Sequence, residues 1–358
     1  MKARVLIGNI FDSQVQTLVN TVNCVGVMGK GLALEFKRRF PEMYADYVAR
    51  CKGKTVKIGE PYLYRYPSGK WILNFPTKYH WRQPSRLEYI TRGLQFVLEH
   101  YREWGITSIA FPPLGCGEGG LDWRVVGPTL YRELQKMDIP VELYAPYGTP
   151  YQELRPEFFG EQTPSPQPRI PAGWVALLQI IKRVEERFPH LQPGTFRDIA
   201  YFADARGIPT GLQFRWVEGE LQVENLRTVI QRLVNNGLLV REKAGRKLLR
   251  LCPGKTFDDA SRAWHDVLRE WELPIQDVVE LLLQLTDRQI EIAVFLLSAV
   301  QDAQKKAPHP LSTGDIVERL KKNPPLLLSA LSGEEILVIL KHLEDWHFLE
   351  VSASESEV

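Results

Sequence analysis

Cysteine and long apolar runs are scarce in this 358-residue chain. The only cysteines are Cys24, Cys51, Cys116 and Cys252, which lie too far apart for a CxxC pair or a zinc-ligand spacing. We therefore expect reduced thiols, no resident metal and a cytoplasmic location. No stretch approaches the roughly 18 apolar residues of a membrane-spanning helix. The first residues also turn polar too early for a signal peptide, so we expect neither.

Net charge is small over the whole chain but unevenly distributed along it. Residues 1–173 and 174–256 each carry a net charge of +6, whereas residues 257–358 carry 9 basic and 19 acidic side chains. The basic residues 1–256 predict a polyanionic partner, and the acidic block 257–358 predicts a basic partner. The alternative for the acidic block is a segment that serves solubility alone.

The length exceeds what one hydrophobic core usually organises, since domains cluster near roughly 100–150 residues. The stretch ELRPEFFGEQTPSPQPRIPAG, with five prolines, reads as an extended spacer. After it, helical segments, the hairpin LLVREKAGRKLLRL with a turn at Gly245, and the segment STGDIVERLKK indicate winged-helix-like modules. We predict an α/β domain, a Pro-rich linker, a winged-helix-like domain and an acidic winged-helix-like or helical domain over 1–155, 156–172, 173–256 and 257–358.

Strand-like and helix-like segments alternate before the linker, which indicates a layered α/β domain. The sequence YLYRYPSGKWILNFP reads as two strands joined by a turn, so the sheet should be mixed rather than purely parallel. The segment LALEFKRRFPEMYADYVARC has helical spacing. Capping boxes are predicted at three helix starts, from the pairs Ser85/Glu88, Thr286/Gln289 and Ser332/Glu335.

Two glycine-rich loops follow strand-like segments, CVGVMGKG at Cys24–Gly31 and GCGEGG at Gly115–Gly120. Ligands of α/β sheets bind beyond the carboxyl ends of strands, where glycines let backbone N–H groups approach an anion. Neither loop is a P-loop or a GxGxxG fingerprint. For either loop alone, a tight turn without a ligand is the alternative.

The order of VNTVN, a glycine-rich loop with its helix, and a late strand closed by GCGEGGLDW resembles the macrodomain family of ADP-ribose-binding modules. Within it, NTVNCVGVMGKGLALEFKRRFPEMYADY and NFPTKYHW look like the macrodomains of DarG-type antitoxins, which oppose DarT-type DNA ADP-ribosyltransferase toxins. The resemblance covers about residues 1–155. The rest is similar in placement, most clearly in FRDIAYFADARGIPTGLQFRWVEG.

The resemblance implies an α/β macrodomain and an ADP-ribosyl glycohydrolase that releases ADP-ribose from thymidine in single-stranded DNA. It implies no cofactor, since ADP-ribose is ligand or product, and no membrane partner. Modified DNA would bind through residues 1–155, and the cognate DarT-like toxin through residues 173–358.

Individual site residues also come from the resemblance. Lys78 and Asn23 are implied to be catalytic. ADP-ribose is implied to contact Asn9, Ile10, Asn20, Val25, Gly26, Val27, Met28, Gly29, Gly31, Thr77, Gly115, Cys116, Gly117, Glu118 and Gly119. For DNA, the YHWR segment, Tyr79, His80, Trp81 and Arg82, interleaves aromatic rings with a cation, as single-strand binding surfaces do.

This chain departs from the family pattern in two places. Macrodomains usually carry an aspartate for the adenine amino group where Asn9 stands, and Asp12 is a nearby alternative. Relatives pair the catalytic lysine with an aspartate in the loop that binds the diphosphate, which corresponds to Gly115–Gly120 here. When the sequences are aligned on GCG, Gly119 occupies the position of that aspartate. Glu118 or Asp122 is then left as the acid.

Two chemical roles for Lys78 stay open. A neutral amine would attack the anomeric carbon, which requires a pKa lowered by burial or by a cationic neighbour. A charged ammonium would stabilise the departing base.

Two other function classes compete with the glycohydrolase. One is a reader that binds ADP-ribose without cleaving it, and such a protein needs no lysine at position 78. The other is a winged-helix DNA-binding regulator with an accessory sensor domain. The basic wing REKAGRK favours this class, and the acidic residues 257–358 argue against duplex binding. Ordinary structural roles are the alternatives for single residues: a solvated Lys78, a turn amide at Asn23, core packing for Trp81 and a small packing side chain at Cys116.

Overall fold

The structure, a computed structural model, describes residues 3–66, 69–150, 170–188, 191–217, 220–244, 248–306 and 332–349. Most of the predicted linker, the turn at Gly245 and the segment STGDIVERLKK lie outside these ranges.

The chain divides into two compact units, neither of which is continuous in sequence. The first unit comprises the chain up to Ile170 together with Gln231–Leu239 and Gly254–His265. The second comprises Pro171–Ile230, Val240–Pro253 and the chain from Asp266 onward. The domain boundaries predicted at 155, 172 and 256 stay a prediction.

A six-stranded sheet forms the centre of the first unit. Its strands are β1 (Ala3–Leu6), β2 (Thr17–Asn23), β3 (Tyr62–Arg65), β4 (Trp71–Lys78), β5 (Ile109–Phe111) and β6 (Val141–Tyr144). Their order across the sheet is β1-β6-β5-β2-β4-β3, and every neighbouring pair is parallel except β3 and β4. The mixed sheet predicted from the YLYRYPSGKWILNFP hairpin is confirmed.

Helices cover both faces of this sheet, namely α1 (Gly31–Arg39), α2 (Pro41–Lys52), α3 (Leu87–His100) and α4 (Trp123–Leu134). Side chains alternate between the faces of a strand. Leu18 and Val22 of β2 therefore share a core with Phe36 of α1 and Met43 of α2. On the opposite face Phe75 lies against α3, so closely that a Cβ at Gly93 would come within 2.4 Å of its ring.

The helical spacing of LALEFKRRFPEMYADYVARC is confirmed, and the segment forms two helices because Pro41 divides it. Phe40 ends α1 with φ −131° and ψ 66°, outside the helical region, and Pro41 is the first residue of α2. A proline disfavours the helical conformation in the residue before it, and its missing N–H costs nothing at a helix start.

Two of the three predicted capping boxes are confirmed. Ser332 and Glu335 cap their helix reciprocally, and Thr286 and Gln289 exchange the same pair of bonds. The prediction for Ser85 is wrong. Helix α3 starts one residue later than that box requires, with Arg86 in the cap position, and the buried Ser85 hydroxyl has no hydrogen-bond partner among the described residues.

The rest of the described chain is mainly helical. Its helices are α5 (Ala172–Arg183), α6 (Pro193–Ala205), α7 (Leu226–Asn235), α8 (Phe257–Ala263), α9 (His265–Glu270), α10 (Glu272–Gln284), α11 (Asp287–Lys306) and α12 (Gly333–Asp345). Two two-stranded sheets accompany them, from β7 (Phe214–Val217) with β8 (Glu220–Val223) and from β9 (Leu239–Ala244) with β10 (Leu248–Pro253). The winged-helix arrangement stays a prediction. Over the described ranges, no helix combines the length and apolar character of a membrane span.

Candidate active site

A cavity of about 890 Å³ opens at the carboxyl edge of the sheet in the first unit. Strands β2 and β4 end there at Asn23 and Lys78, which are paired in the sheet register. The neighbouring strand β5 ends at Phe111, and Pro112 and Pro113 after it line the same cavity. Both glycine-rich loops therefore meet at the edge where α/β sheets bind ligands.

Asn23 organises the first glycine-rich loop from the end of β2. Its Oδ1 accepts hydrogen bonds from the N–H groups of Val25 (3.0 Å) and Val27 (3.4 Å), and its Nδ2 donates to the Val27 carbonyl oxygen at 2.6 Å. The loop leads into α1, whose first turn lines the cavity and contains no acidic residue. The positive end of the α1 dipole is therefore free to favour an anion.

Tyr47 of α2 fixes the position of Asn23. This fully buried side chain of α2 donates from its hydroxyl toward the Asn23 backbone oxygen at 2.9 Å, and the same hydroxyl lies 3.0 Å from Asn23 Oδ1. Burial raises the pKa of Tyr47, and the adjacent Cys51 raises it further. The hydroxyl therefore stays protonated and able to donate.

Backbone hydrogen bonds hold the second glycine-rich loop closed. The Gly115 carbonyl accepts from the Leu121 N–H at 3.0 Å, and the Gly119 carbonyl accepts from the Ser85 N–H at 2.8 Å. Gly115 has φ +79°, and a Cβ there would come within 2.6 Å of Leu121, so both conformation and space require glycine. At Gly117, by contrast, a Cβ meets nothing within 4 Å.

Gly119 cannot carry the aspartate that the family pattern places there. A Cβ at this position would lie 2.4 Å from the Gly115 carbonyl oxygen and 2.4 Å from the Ser85 hydroxyl. Asp122 is also committed elsewhere, since its carboxylate accepts from the N–H groups of Arg124 (3.0 Å) and Ile170 (2.9 Å). Of the two predicted acids, only Glu118 lines the cavity.

Lys78 is the buried cation of the site, with 9% of its surface exposed. Its Nζ donates to the Glu118 carbonyl oxygen at 2.8 Å and lies 3.5 Å from that of Trp81. Burial lowers the pKa of Lys78 below its ordinary value of 10.5, and the Glu118 carboxylate offsets this only in part. Lys30, Lys78 and Arg82 face a single acid, Glu118, among the lining residues, so the cavity favours an anionic ligand.

The structure brings together more than half of the predicted site residues. Those lining the cavity are Asn23, Val27, Gly29, Gly31, Thr77, Lys78, Trp81, Arg82, Gly115, Gly117, Glu118 and Gly119. Those that do not line it are Asn9, Ile10, Asn20, Val25, Gly26, Met28, Tyr79, His80 and Cys116.

Several of the residues outside the cavity have other contacts. Asn9 caps the short 3-10 helix Ile10–Asp12. Asn20 is fully buried and donates to Asn74 at 2.9 Å. Met28 belongs to the core under α1 and α2, and Cys116 is buried with its sulfur toward the Leu114 carbonyl.

Sequence reasoning missed some of the cavity wall. Lys30, Leu32, Ala33, Thr21, Val22, Pro112 and Pro113 line it. Lys30 had a visible signal, since it ends a glycine-rich loop before a predicted helix. Tyr47 had none, because only the fold places α2 beneath the end of β2.

An exposed aromatic and cationic strip, Tyr79–Tyr89, begins at the rim of the cavity. Trp81 is 45% exposed, stacks on His80 with ring centroids 5.4 Å apart, and carries the Arg82 guanidinium 4.6 Å from its own centroid. Tyr79, 52% exposed, meets Tyr89 edge to face at 5.6 Å. The core-packing alternative for Trp81 therefore does not hold.

Comparison with known proteins agrees with this geometry. A family model described as Macro domain matches residues 19–130. The DNA ADP-ribosyl glycohydrolase of Thermus aquaticus is 35% identical over 258 residues, which cover 71% of this chain and 70% of that protein. The chain belongs to the DNA ADP-ribosyl glycohydrolase family. Its first unit contains the macrodomain of that family.

Two other relatives of this glycohydrolase family match over shorter stretches. A DNA ADP-ribosyl transferase–DNA ADP-ribosyl glycohydrolase fusion protein of Thermosipho africanus is 42% identical over 171 residues, covering 42% of this chain and 44% of the relative. This chain thus spans less than half of the fusion protein. A solved macrodomain of Mycobacterium tuberculosis DarG is 47% identical and covers 40% of this chain and 97% of that one, with a TM-score of 0.39.

Proposed function

We propose that this protein hydrolyses ADP-ribose from thymidine in single-stranded DNA and binds and inhibits a DarT-like toxin through residues 173–358. The observation that carries the first part is the position of Lys78. Its amine is buried at the end of β4, inside the cavity where the two glycine-rich loops meet. A protein that only binds ADP-ribose has no need of a desolvated lysine there.

The cavity offers a place for the diphosphate and for the distal ribose of ADP-ribose. The N-terminus of α1 and the backbone of the Gly115–Gly119 loop suit the diphosphate, with Lys30 adding positive charge. Asn23 and Lys78 are neighbours in the sheet, so the distal ribose would sit across both. A distal ribose bound in this way would have its anomeric carbon next to the lysine amine.

Lys78 then acts as the nucleophile of a glycosidic cleavage. Because burial lowers its pKa, a fraction of the amine is neutral and carries a free electron pair. That pair forms a bond from Nζ to the anomeric carbon while the bond from this carbon to the thymine imide nitrogen breaks. The thymidine stays in its DNA strand, departs as an imide anion and takes up the proton that Nζ loses on forming its new bond. Water then hydrolyses the covalent adduct, which releases ADP-ribose and regenerates the amine. An imide anion leaves readily, which fits a site whose only lining acid, Glu118, is solvent-exposed.

The strip Tyr79–Tyr89 suits the DNA on either side of the modified thymidine. Trp81 offers one exposed ring beside the cavity, and the Tyr79–Tyr89 pair offers a second, with the Arg86 guanidinium 5.5 Å from the Tyr89 centroid. Base–aromatic stacking contributes about 1–3 kcal/mol per base, and the arginines attract phosphates. Duplex DNA hides its base faces, so this surface favours a single strand.

The toxin partner rests on charge and on the Thermosipho relative, whose name joins a DNA ADP-ribosyl transferase to a DNA ADP-ribosyl glycohydrolase. An enzyme that modifies single-stranded DNA needs a positively charged groove. The acidic block 257–358 has the opposite charge and can occupy such a groove in place of phosphates.

A paired set of variants tests the catalytic proposal. Lys78→Ala should abolish ADP-ribose release from a modified oligonucleotide while calorimetry still detects ADP-ribose binding. Gly117→Val should instead weaken ADP-ribose binding itself, because its side chain fills open space in the cavity without straining the fold.

Two controls match these changes. Lys52→Ala removes an exposed lysine at the end of α2, and Gly194→Val adds a side chain at another glycine with open space around it. Both should behave as wild type. Release at the wild-type rate by Lys78→Ala would overturn the assignment, and binding without any release by the wild-type protein would favour the reader.

A further inference from the structure

Two segments from late in the chain belong to the macrodomain unit. Gln231–Leu239 and Gly254–His265 group with the six-stranded sheet rather than with the helical unit that surrounds them in sequence. They attach to helix α4, which starts directly after the Gly115–Gly120 loop, and they do so near both of its ends.

At the N-terminal end of α4 the attachment is a buried hydrogen bond. Asn236, with 1% of its surface exposed, accepts through Oδ1 from the N–H of Asp122 at 2.7 Å. Asn236 is itself fixed, since its Nδ2 donates to the Arg232 carbonyl and its own carbonyl accepts from the Thr256 hydroxyl, both at 2.9 Å. The acceptor is therefore held rigidly in place.

Asp122 is one residue beyond the closure of the Gly115–Gly120 loop. The preceding N–H, that of Leu121, donates to the Gly115 carbonyl, and the Leu121 side chain fills the space beside Gly115. Gly115 lines the cavity. A displacement of Asp122 would thus pass through a single residue to the loop that faces the ligand.

At the other end of α4 the attachment is an ion pair. Arg132 donates two bonds to the buried Asp259, at 3.0 and 2.7 Å, and Arg262 also contacts that carboxylate. Ten residues of helix separate Arg132 from Asp122, a distance of about 15 Å. This second contact fastens α8 to α4 without touching the loop.

We propose that Asn236 is a positioning residue for the ADP-ribose site: it holds Asp122 and thereby keeps the Gly115–Gly120 loop in the conformation that receives the diphosphate. The inference rests on the proposed function for the identity of the ligand. Its physical reason is that the Asp122 N–H is buried and needs an acceptor. Asn236→Ala removes this buried hydrogen bond, and with it the contact that holds the chain one residue after the loop closure.

The test compares the two attachments in the full-length protein. Asn236→Ala should weaken ADP-ribose binding about ten-fold by calorimetry and speed amide hydrogen exchange within residues 115–121. Arg132→Ala should lower the thermal midpoint at least as much, yet leave ADP-ribose affinity within about two-fold of wild type, because its contact lies away from the loop. Asn236→Ser, which removes less volume, serves if Asn236→Ala does not fold.

Two results would overturn the inference. One is wild-type ADP-ribose affinity in Asn236→Ala or Asn236→Ser, and the other is an equal loss of affinity in Arg132→Ala. Failure of the proposed function looks different, because the wild-type protein itself would then bind no ADP-ribose.

Discussion

The amine of Lys78 is largely buried, and among the residues that the structure describes no carboxylate forms an ion pair with it. Its partners are two backbone carbonyl oxygens, those of Glu118 and Trp81. Carbonyls orient an ammonium group without neutralising it, so burial remains the dominant influence and lowers the pKa of Lys78. A residue with these surroundings can change between acid and base at a pH closer to neutrality than an exposed lysine can.

The pH dependence of turnover follows from that lowered pKa. Under the proposed mechanism, in which the neutral amine is the nucleophile, kcat should rise with pH and level off above the pKa of Lys78, which lies below 10.5. The measurement is the single-turnover rate of ADP-ribose release from a modified oligonucleotide across neutral to alkaline pH. Lys78→Arg is the control, since it keeps the charge but offers no nucleophile at any of these pH values. A rate that falls as pH rises would instead support the electrostatic role.

At the scale of elements, the segment between β4 and α3 connects the cavity to the exposed aromatic strip Tyr79–Tyr89. The rings of Tyr79 and Trp81 are exposed although they follow a strand that is buried from Ile72 to Lys78. This exposure of apolar surface is unfavourable unless a partner covers it. Two stacking surfaces, at Trp81 and at the Tyr79–Tyr89 pair, follow each other along this segment.

The strip should make turnover depend on substrate length. Tyr79→Ala and Trp81→Ala should raise KM for a modified oligonucleotide by about ten-fold or more, since each removes a stacking surface. KM for the modified mononucleoside should change less for Tyr79→Ala, because Tyr79 does not line the cavity. Tyr147→Ala is the matched control, as this tyrosine is also highly exposed but lies outside the strip. Equal effects on both substrates would place Tyr79 outside the DNA surface.

Local signals in the sequence predicted most of these elements, and long-range packing accounts for the failures. The strand–loop–helix order and the glycine-rich loops were readable because period and turn chemistry are local properties. Pro41 also carried a local signal that the periodicity of the flanking segments outweighed. The sequence could not show that Ser85 does not cap α3, because its contact with Gly119 of a distant loop moves it out of the cap position.

The same distinction holds for the candidate site. The two loops follow from their glycines and the catalytic role of Lys78 from the resemblance, whereas the burial that lowers the pKa of Lys78 depends on strands that are far apart in sequence. The roles of Tyr47 and Asn236 depend on which helix lies beneath which loop. No periodicity or motif encodes that information.

On the scale of the whole molecule, the acidic block gives the chain its strongest charge asymmetry. Replacing Glu344 and Asp345, both exposed at the end of α12, with lysines should slow association with the cognate DarT-like toxin and reduce its salt dependence. Lysines suit a helix C-terminus, so the helix itself should persist. The measurement is the association rate by surface plasmon resonance at several salt concentrations.

A control with the same change in charge separates this effect from net charge. Glu99→Lys with Glu103→Lys alters two exposed acids near the end of α3, in the other part of the chain. This pair should leave the association rate close to wild type. Equal slowing by both pairs would mean that overall charge, and not the acidic block, guides the encounter.

The interrupted course of the chain has an evolutionary consequence. The polypeptide passes between its two units after Ile170, Ile230, Leu239, Pro253 and His265. A recombination event with one crossover inside the Pro-rich stretch would therefore transfer the sheet and its loops while leaving Asn236 and Asp259 behind. Gene exchange between relatives should preserve the two units as one heritable block, so that each lineage inherits α4 together with the residues that contact both of its ends.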